Sequence, residues 1–114
     1  MSYPDLEMLA DPKAFSVFSQ QASKASDLLK ALSHETRLMI LCLLAEGEKS
    51  VSELEDLLTM PQAAVSQQLA RLRLEGLVAA RRDGRMIYYR LDDEQVKPII
   101  AALYYMFCKP MKGK

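Results

Sequence analysis

Three side chains in this 114-residue chain have the chemistry of soft ligands or nucleophiles: Cys42, Cys108 and the single histidine, His34. A cysteine can serve as a buried apolar filler, half of a disulfide, a metal ligand or, as thiolate, a nucleophile. Metal binding is disfavoured, because one histidine and two cysteines set 66 positions apart form no local ligand cluster. A structural disulfide is disfavoured too: the chain shows no secretory segment, and the cytoplasm expected for it keeps thiols reduced. Two readings of the thiols stay open. Cys42 in MILCLL and Cys108 after LYYMF pack as small hydrophobes, or they face each other between two helices as a redox switch. His34 is read as structural or solvent-exposed. No nucleophile–base–acid set, phosphate loop or acid/base pair with a pocket is legible, so neither enzymatic activity nor a cofactor is expected.

A second chemistry, recognition of nucleic acid, lies in residues 61–76, PQAAVSQQLARLRLEG. At helical pitch Val65, Leu69 and Leu72 recur on one face, the stripe of a helix docked on a core. The opposite arc carries Ala63, Gln67, Ala70 and Arg71, with Gln62 and Ser66 on its shoulder. Small side chains let a helix sit deep in a DNA major groove, glutamine can bond an adenine edge at two points, and arginines on later turns reach phosphates. Gln62, Ala63, Ser66, Gln67 and Arg71 are therefore candidate DNA contacts.

The flanking elements must position that helix. Ser52 and Glu55 fit a capping box, and Leu54, Leu57 and Leu58 give the helix they open a short apolar stripe. Pro61 favours an extended Met60, so one helix ends there and the next begins, as in a helix-turn-helix. After Gly76 the chain reads LVAARRDGRMIYYRL, with Asp83-Gly84 as a two-residue hairpin turn of primed type. That turn predicts Arg82 facing Arg85, Ala80 facing Ile87 and Val78 facing Tyr89. Val78, Ala80, Ile87 and Tyr89 then share one face, and Ala79, Arg81, Met86, Tyr88 and Arg90 the other. Arg81, Arg82 and Arg85 crowd the tip at a cost in like-charge repulsion that an anionic partner would offset, so they join the candidate DNA contacts.

The remaining chain reads as support. Residues 1–10 and 109–114 are expected to be flexible tails around one domain spanning 11–108. Asp11-Pro12 opens a first helix with Phe15, Phe18, Ala22, Ala25, Leu29 and Leu32 at helical spacing. Ser33 caps a second helix from His34 to Glu46, apolar all round between Leu38 and Leu44 and thus the buried centre, and Gly47 stops it. Residues 48–51 add a short strand beside the hairpin. Asp92 or Asp93 caps a last helix rich in large apolar side chains, where Pro98 bends the helix or delays its regular start and Cys108 sits in the final turn. The fold class is mainly α: a winged helix-turn-helix of five helices and a β-hairpin wing, dimerising through its first and last helices.

Charge patterning agrees. The net charge is zero, yet residues 1–60 hold ten acids and five bases, whereas residues 61–90 hold two acids and six arginines. A basic patch confined to the groove-facing helix and the hairpin suits a local contact with duplex DNA. The longest apolar run, residues 38–45, is far too short to cross a bilayer, so no membrane partner is expected.

Over almost its whole length the sequence resembles the ArsR family of bacterial winged-helix repressors. The resemblance rests on LKALSHETRLMILCLLAEGEKSVSELEDLL, VSQQLARLRLEGLV and GRMIYYRL, in that order and spacing. It implies a homodimer on an inverted-repeat operator in double-stranded DNA that is released when an inducer is sensed. Metal-sensing members carry cysteines in the helix before the turn, which here reads SELEDLL, or His and Asp ligands along the last helix, which has none that match. Cys42 after RLMIL and Cys108 after LYYMF are similar instead to the reactive-sulfur branch of the SqrR and BigR type. That likeness implies two sensing cysteines joined through inserted sulfur atoms when persulfide or polysulfide species arrive. Met60-Pro61 departs from the Ser-type cap of many members, and the outward Leu74 has no assigned contact. Three readings compete: a persulfide-gated repressor, the same DNA-binding scaffold with inert cysteines acting as activator or anti-repressor (or a general thiol-oxidation sensor), and a protein-interaction module docking through its last helix.

Overall fold

The computed structural model describes residues 10–92, 94 and 96–108; most of the two expected tails and Asp93 lie outside them. The chain divides into two units, residues 1–33 and 34–114. The first contains helix α1 (Pro12–Leu32), started as its sequence predicts: Pro12 occupies the first turn, and the Asp11 carboxylate accepts from the Lys13 N–H at 3.2 Å. Phe15 and Phe18 form a tilted ring pair, centroids 6.4 Å apart, on a face left exposed together with Leu29.

In the second unit helix α2 (Glu35–Ala45) supplies the centre of the core, with Ile40 and Leu41 fully buried. Its N-cap is His34, not Ser33: His34 has the extended backbone of a cap and its Nδ1 accepts from the Arg37 N–H, while Ser33 is helical and closes α1 through its hydroxyl on the Lys30 carbonyl. Strand β1 (Lys49–Ser50) runs directly into helix α3 (Val51–Leu58).

The capping box that opens α3 is formed by Ser50 and Glu53, two residues before the predicted Ser52 and Glu55. The Glu53 N–H donates to Ser50 Oγ at 3.1 Å, and Glu53 Oε1 accepts from the Ser50 N–H at 2.9 Å. The sequence contains the Ser-x-x-Glu spacing twice. The earlier copy is used because Ser50 ends a strand, paired to Tyr88, and so already has the extended backbone a cap needs.

Thr59 ends α3 in the left-handed conformation (φ 51°), and Pro61 precedes helix α4 (Gln62–Leu74). The stripe read from the sequence is the buried face: Val65, Leu69 and Leu72 have no accessible surface. Gly76 takes φ 77° between α4 and strand β2 (Val78–Asp83), which pairs with strand β3 (Met86–Leu91) in an antiparallel sheet of order β1-β3-β2.

The register differs from the predicted one. Asp83 pairs with Met86, Arg82 with Ile87, Ala80 with Tyr89 and Val78 with Leu91, so the turn residues are Gly84 and Arg85. Only Gly84 has positive φ (64°), the pattern of a II′ turn, which places glycine first. Moving the turn by one residue moves every partner by two. Both predicted faces therefore survive, but Arg82 does not oppose Arg85.

Helix α5 (Val96–Leu103) starts late enough that Pro98 lies in its first turn, where a missing N–H breaks no intrahelical bond. The cap predicted at Asp92 or Asp93 falls on a stretch that includes positions outside the described residues; the Asp92 N–H donates to the Leu77 carbonyl at 3.0 Å. The chain continues as a π-helical turn, Tyr104–Cys108. Ile100 and Val96 complete the core, whereas Tyr105, Met106 and Phe107 are exposed. No helix among the described residues is long and apolar enough to cross a membrane.

Candidate nucleic-acid interface and thiol site

Because Val65, Leu69 and Leu72 are held inward, the opposite face of α4 is fixed outward. Gln62, Ala63, Gln67 and Arg71 are exposed and Ser66 is half-buried. Pro61 offers no side-chain acceptor to the first turn, so the open N–H groups there depend on solvent or a bound partner. Gln62 and Ser66 share a cavity of about 300 Å³ with Arg85 and Ile87 of the hairpin, which brings the start of α4 and the wing tip to one place. Arg71 is drawn toward Glu75 at 3.6 Å, and the same carboxylate lies 3.9 Å from Arg37 on α2.

The three wing arginines are not equivalent. Arg81 Nε donates to both oxygens of Glu48 at 3.0 and 2.9 Å, and Nη2 to Oε1 at 2.7 Å. Its guanidinium also lies 4.6 Å from the Tyr88 ring centroid. These bonds lower the Glu48 carboxyl below its usual range and raise Arg81 above its own. Arg81 thus fastens the hairpin to the approach of β1 and has little freedom to meet a phosphate. Arg82 and Arg85 are exposed and make no ion pair among the described residues. Sequence reasoning missed both Glu48, which lies 33 residues from its partner, and Arg73, which flanks the same shoulder as Gln62 and Ser66.

The thiols converge. Cys42 on α2 and Cys108 at the end of the π-helical turn are free, half-buried, and line one cavity of about 350 Å³. Its other walls come from Leu38, Met39 and Leu43 of α2 with Glu46 just after it, Leu57 and Leu58 of α3, and Tyr104; all but Glu46 and the Tyr104 hydroxyl are apolar. Burial pushes the Cys42 thiol above its ordinary pKa, and a charge on neighbouring Cys108 pushes it the same way. Cys42 is therefore largely protonated at neutral pH, and its thiolate, once formed, is poorly solvated. The walls offer no metal set: among the described residues, no three His, Cys, Asp or Glu side chains gather at one point.

Known proteins resemble this chain over most of its length. Residues 34–80, from the α2 cap into β2, match the family described as bacterial regulatory protein, arsR family. The biofilm growth-associated repressor of Agrobacterium fabrum is 46% identical over 91 residues, 80% of this chain and 78% of that protein. The transcriptional activator HlyU of Vibrio cholerae is 40% identical over 98 residues, 86% of this chain and 91% of that one. The crystal structure of the transcriptional repressor BigR from Xylella fastidiosa aligns with a TM-score of 0.76 at 42% identity, over 83% of this chain and 94% of that chain. With a reading helix set by its buried stripe, a two-stranded wing beside it and relatives of this similarity, the chain belongs to the arsR family of bacterial regulatory proteins and is a winged-helix, DNA-binding transcriptional regulator.

Proposed function

We propose that the protein is a homodimeric repressor that holds an inverted-repeat operator while reduced and releases it when persulfide or polysulfide species link Cys42 to Cys108. The observation that carries this reading is that two thiols 66 residues apart line one apolar cavity. Likeness to the BigR repressor supports it.

The chemistry balances without a further oxidant. Two successive transfers of sulfane sulfur from a persulfide donor, RSSH, give one cysteine an S–S–SH chain and release two RSH. The other cysteine, as thiolate, attacks the middle sulfur. The terminal S–S bond breaks, HS⁻ leaves, and the two Sγ atoms are joined through one inserted sulfur. The sulfane sulfur is the oxidant and departs as sulfide. Helices pack with axes about 8–10 Å apart, so thiols on two of them can be near without meeting disulfide geometry. Each inserted sulfur lengthens the reach by up to about 2 Å, roughly one S–S bond.

The bridge would tie α2 to the end of the chain's last helix. Since α2 also packs on α4, the constraint passes to the reading helix. Two apolar surfaces, Phe15, Phe18 and Leu29 on α1 and Met106 and Phe107 after α5, are each exposed and each suited to a second copy. In the dimer two copies of α4 would read half-sites about 34 Å apart, with Gln62, Ala63, Ser66 and Gln67 toward the bases and Arg71, Arg82 and Arg85 toward the backbone.

A DNA-binding titration against the promoter region tests the reading. Reduced protein should bind and persulfide-treated protein should release, with intact mass showing sulfur added between the peptides holding Cys42 and Cys108. Cys42→Ser and Cys108→Ser should each bind DNA and fail to respond; an undiminished response in both would falsify the mechanism. Likeness to HlyU, a transcriptional activator, favours a second reading in which the DNA-bound protein activates transcription. It predicts that operator occupancy raises transcription.

A further inference from the structure

Beside the reading face, α4 and the hairpin border a second, open hollow of about 330 Å³, lined by Arg73 of α4, Arg81 and Arg82 of β2, and Ala80 and Ile87. Arg81 is neutralised in place by Glu48. Arg73 and Arg82 are exposed and make no ion pair among the described residues. Two guanidinium groups that wall one hollow with no carboxylate of their own repel each other, and an anion between them turns the repulsion into attraction. The hollow adjoins the cavity that holds Gln62, Ser66 and Arg85, because Ile87 walls both. A seam thus runs between α4 and the wing, with an unpaired arginine available near each end.

We propose that this hollow is a phosphodiester site in which Arg73 and Arg82 clamp one backbone phosphate of the DNA strand passing between α4 and the wing. The proposal rests on the assignment of α4 and the wing to DNA. Guanidinium groups match phosphate oxygens with two parallel N–H bonds, and arginines on two separate elements can hold the non-bridging oxygens from opposite sides. Such a clamp carries no sequence information. Its work is to fix the wing against α4 at one register along the duplex, which sets where Gln67 meets a base.

Arg73→Gln, Arg82→Gln and the double variant should be titrated by fluorescence anisotropy against the operator and an unrelated duplex across a range of salt. Arg90→Gln removes the same charge from the opposite face of the hairpin and serves as control. Each hollow variant is expected to weaken both duplexes alike, on the order of tenfold, and to lower the salt slope by about 0.9 for each phosphate that is no longer neutralised. Arg90→Gln should leave the slope unchanged. Slopes for Arg73→Gln and Arg82→Gln equal to that of Arg90→Gln overturn the clamp. If Gln67→Ala still lowers operator preference in that case, the reading of α4 stands and only the clamp fails. If neither Gln67→Ala nor Arg85→Ala alters duplex binding, the assignment of α4 and the wing fails and takes the clamp with it. Inorganic phosphate titrated into DNA-free protein, followed by phosphorus NMR, separates the remaining source of the same chemistry. Tight phosphate binding that the double variant abolishes, with duplex affinity unchanged, would mean a free-anion site and overturn the backbone assignment.

Discussion

Truncating Phe107 should dissolve the proposed dimer. Phe107 is 67% exposed in the single chain and sits one residue before Cys108. Fully burying a phenylalanine side chain contributes about 1.5–3 kcal/mol, so covering the two-thirds that remains is worth roughly 1–2 kcal/mol per protomer. A two-fold interface uses every residue twice, which doubles the effect to about 2–4 kcal/mol per dimer. At 1.4 kcal/mol per tenfold, Phe107→Ala should weaken dimerisation by about 30-fold to nearly a thousandfold, the lower end allowing for the methyl that alanine keeps. Sedimentation equilibrium of the reduced protein measures this directly, and thermal unfolding of the separated chains checks that the fold survives. Operator affinity should fall with the dimer and recover at high protein concentration. A variant that dimerises as tightly as the native chain would remove Phe107 from the interface and leave its exposure without that explanation.

At the reading face, Gln67→Ala should weaken the operator selectively, by on the order of 1–3 kcal/mol of discrimination, whereas Arg85→Ala should weaken all duplexes alike and reduce the salt slope by about 0.9. Identical sequence dependence in both variants would contradict the division between helix and wing. Alkylation of Cys42 by iodoacetamide should accelerate only above the ordinary thiol range, because burial and Cys108 both raise its pKa; Cys108→Ser removes the second cause and should shift the profile to lower pH. The same elevation makes Cys42's contribution to stability fully present below the unfolded thiol pKa and lost as pH rises through the higher folded one, which urea unfolding at alkaline pH reads out. Ser50→Ala should cost about 1 kcal/mol through loss of the cap on α3, while Ser52→Ala should change little. Equal losses would mean the box is shared between the two registers.

The sequence signals that survived folding were periodic ones. The inward stripe of α4 and the two faces of the hairpin depend on repeats of 3.6 and 2 residues, and a shift that preserves the repeat preserves the face. Signals tied to a single position fared less well. Two Ser-x-x-Glu copies compete for the start of α3, and only pairing with β3 decides between them. Gly84 could sit first or second in the hairpin turn, and one positive φ proved enough. Long-range pairings left no local trace: Glu48 and Arg81 are ordinary surface residues until β1 is laid beside β3. The residues alone left the meeting of Cys42 with Cys108 as one of two open readings, and resemblance to a family was what favoured it. The widening of the last helix into a π-helical turn had no sequence signal at all.

Thr59 closes α3 at a steric cost. A β-branched residue with φ 51° stores about 1–2 kcal/mol of strain that glycine would not. It sits at the joint between α3 and α4, where its N–H bonds the Glu55 carbonyl. Glycine there would stabilise the folded chain and at the same time give that joint new conformations, so α4 would present its side chains over a wider cone. Thermal resistance and grip on DNA are set against each other at a single backbone angle. Selection for a hardier protein at this position would erode the aim of its reading helix.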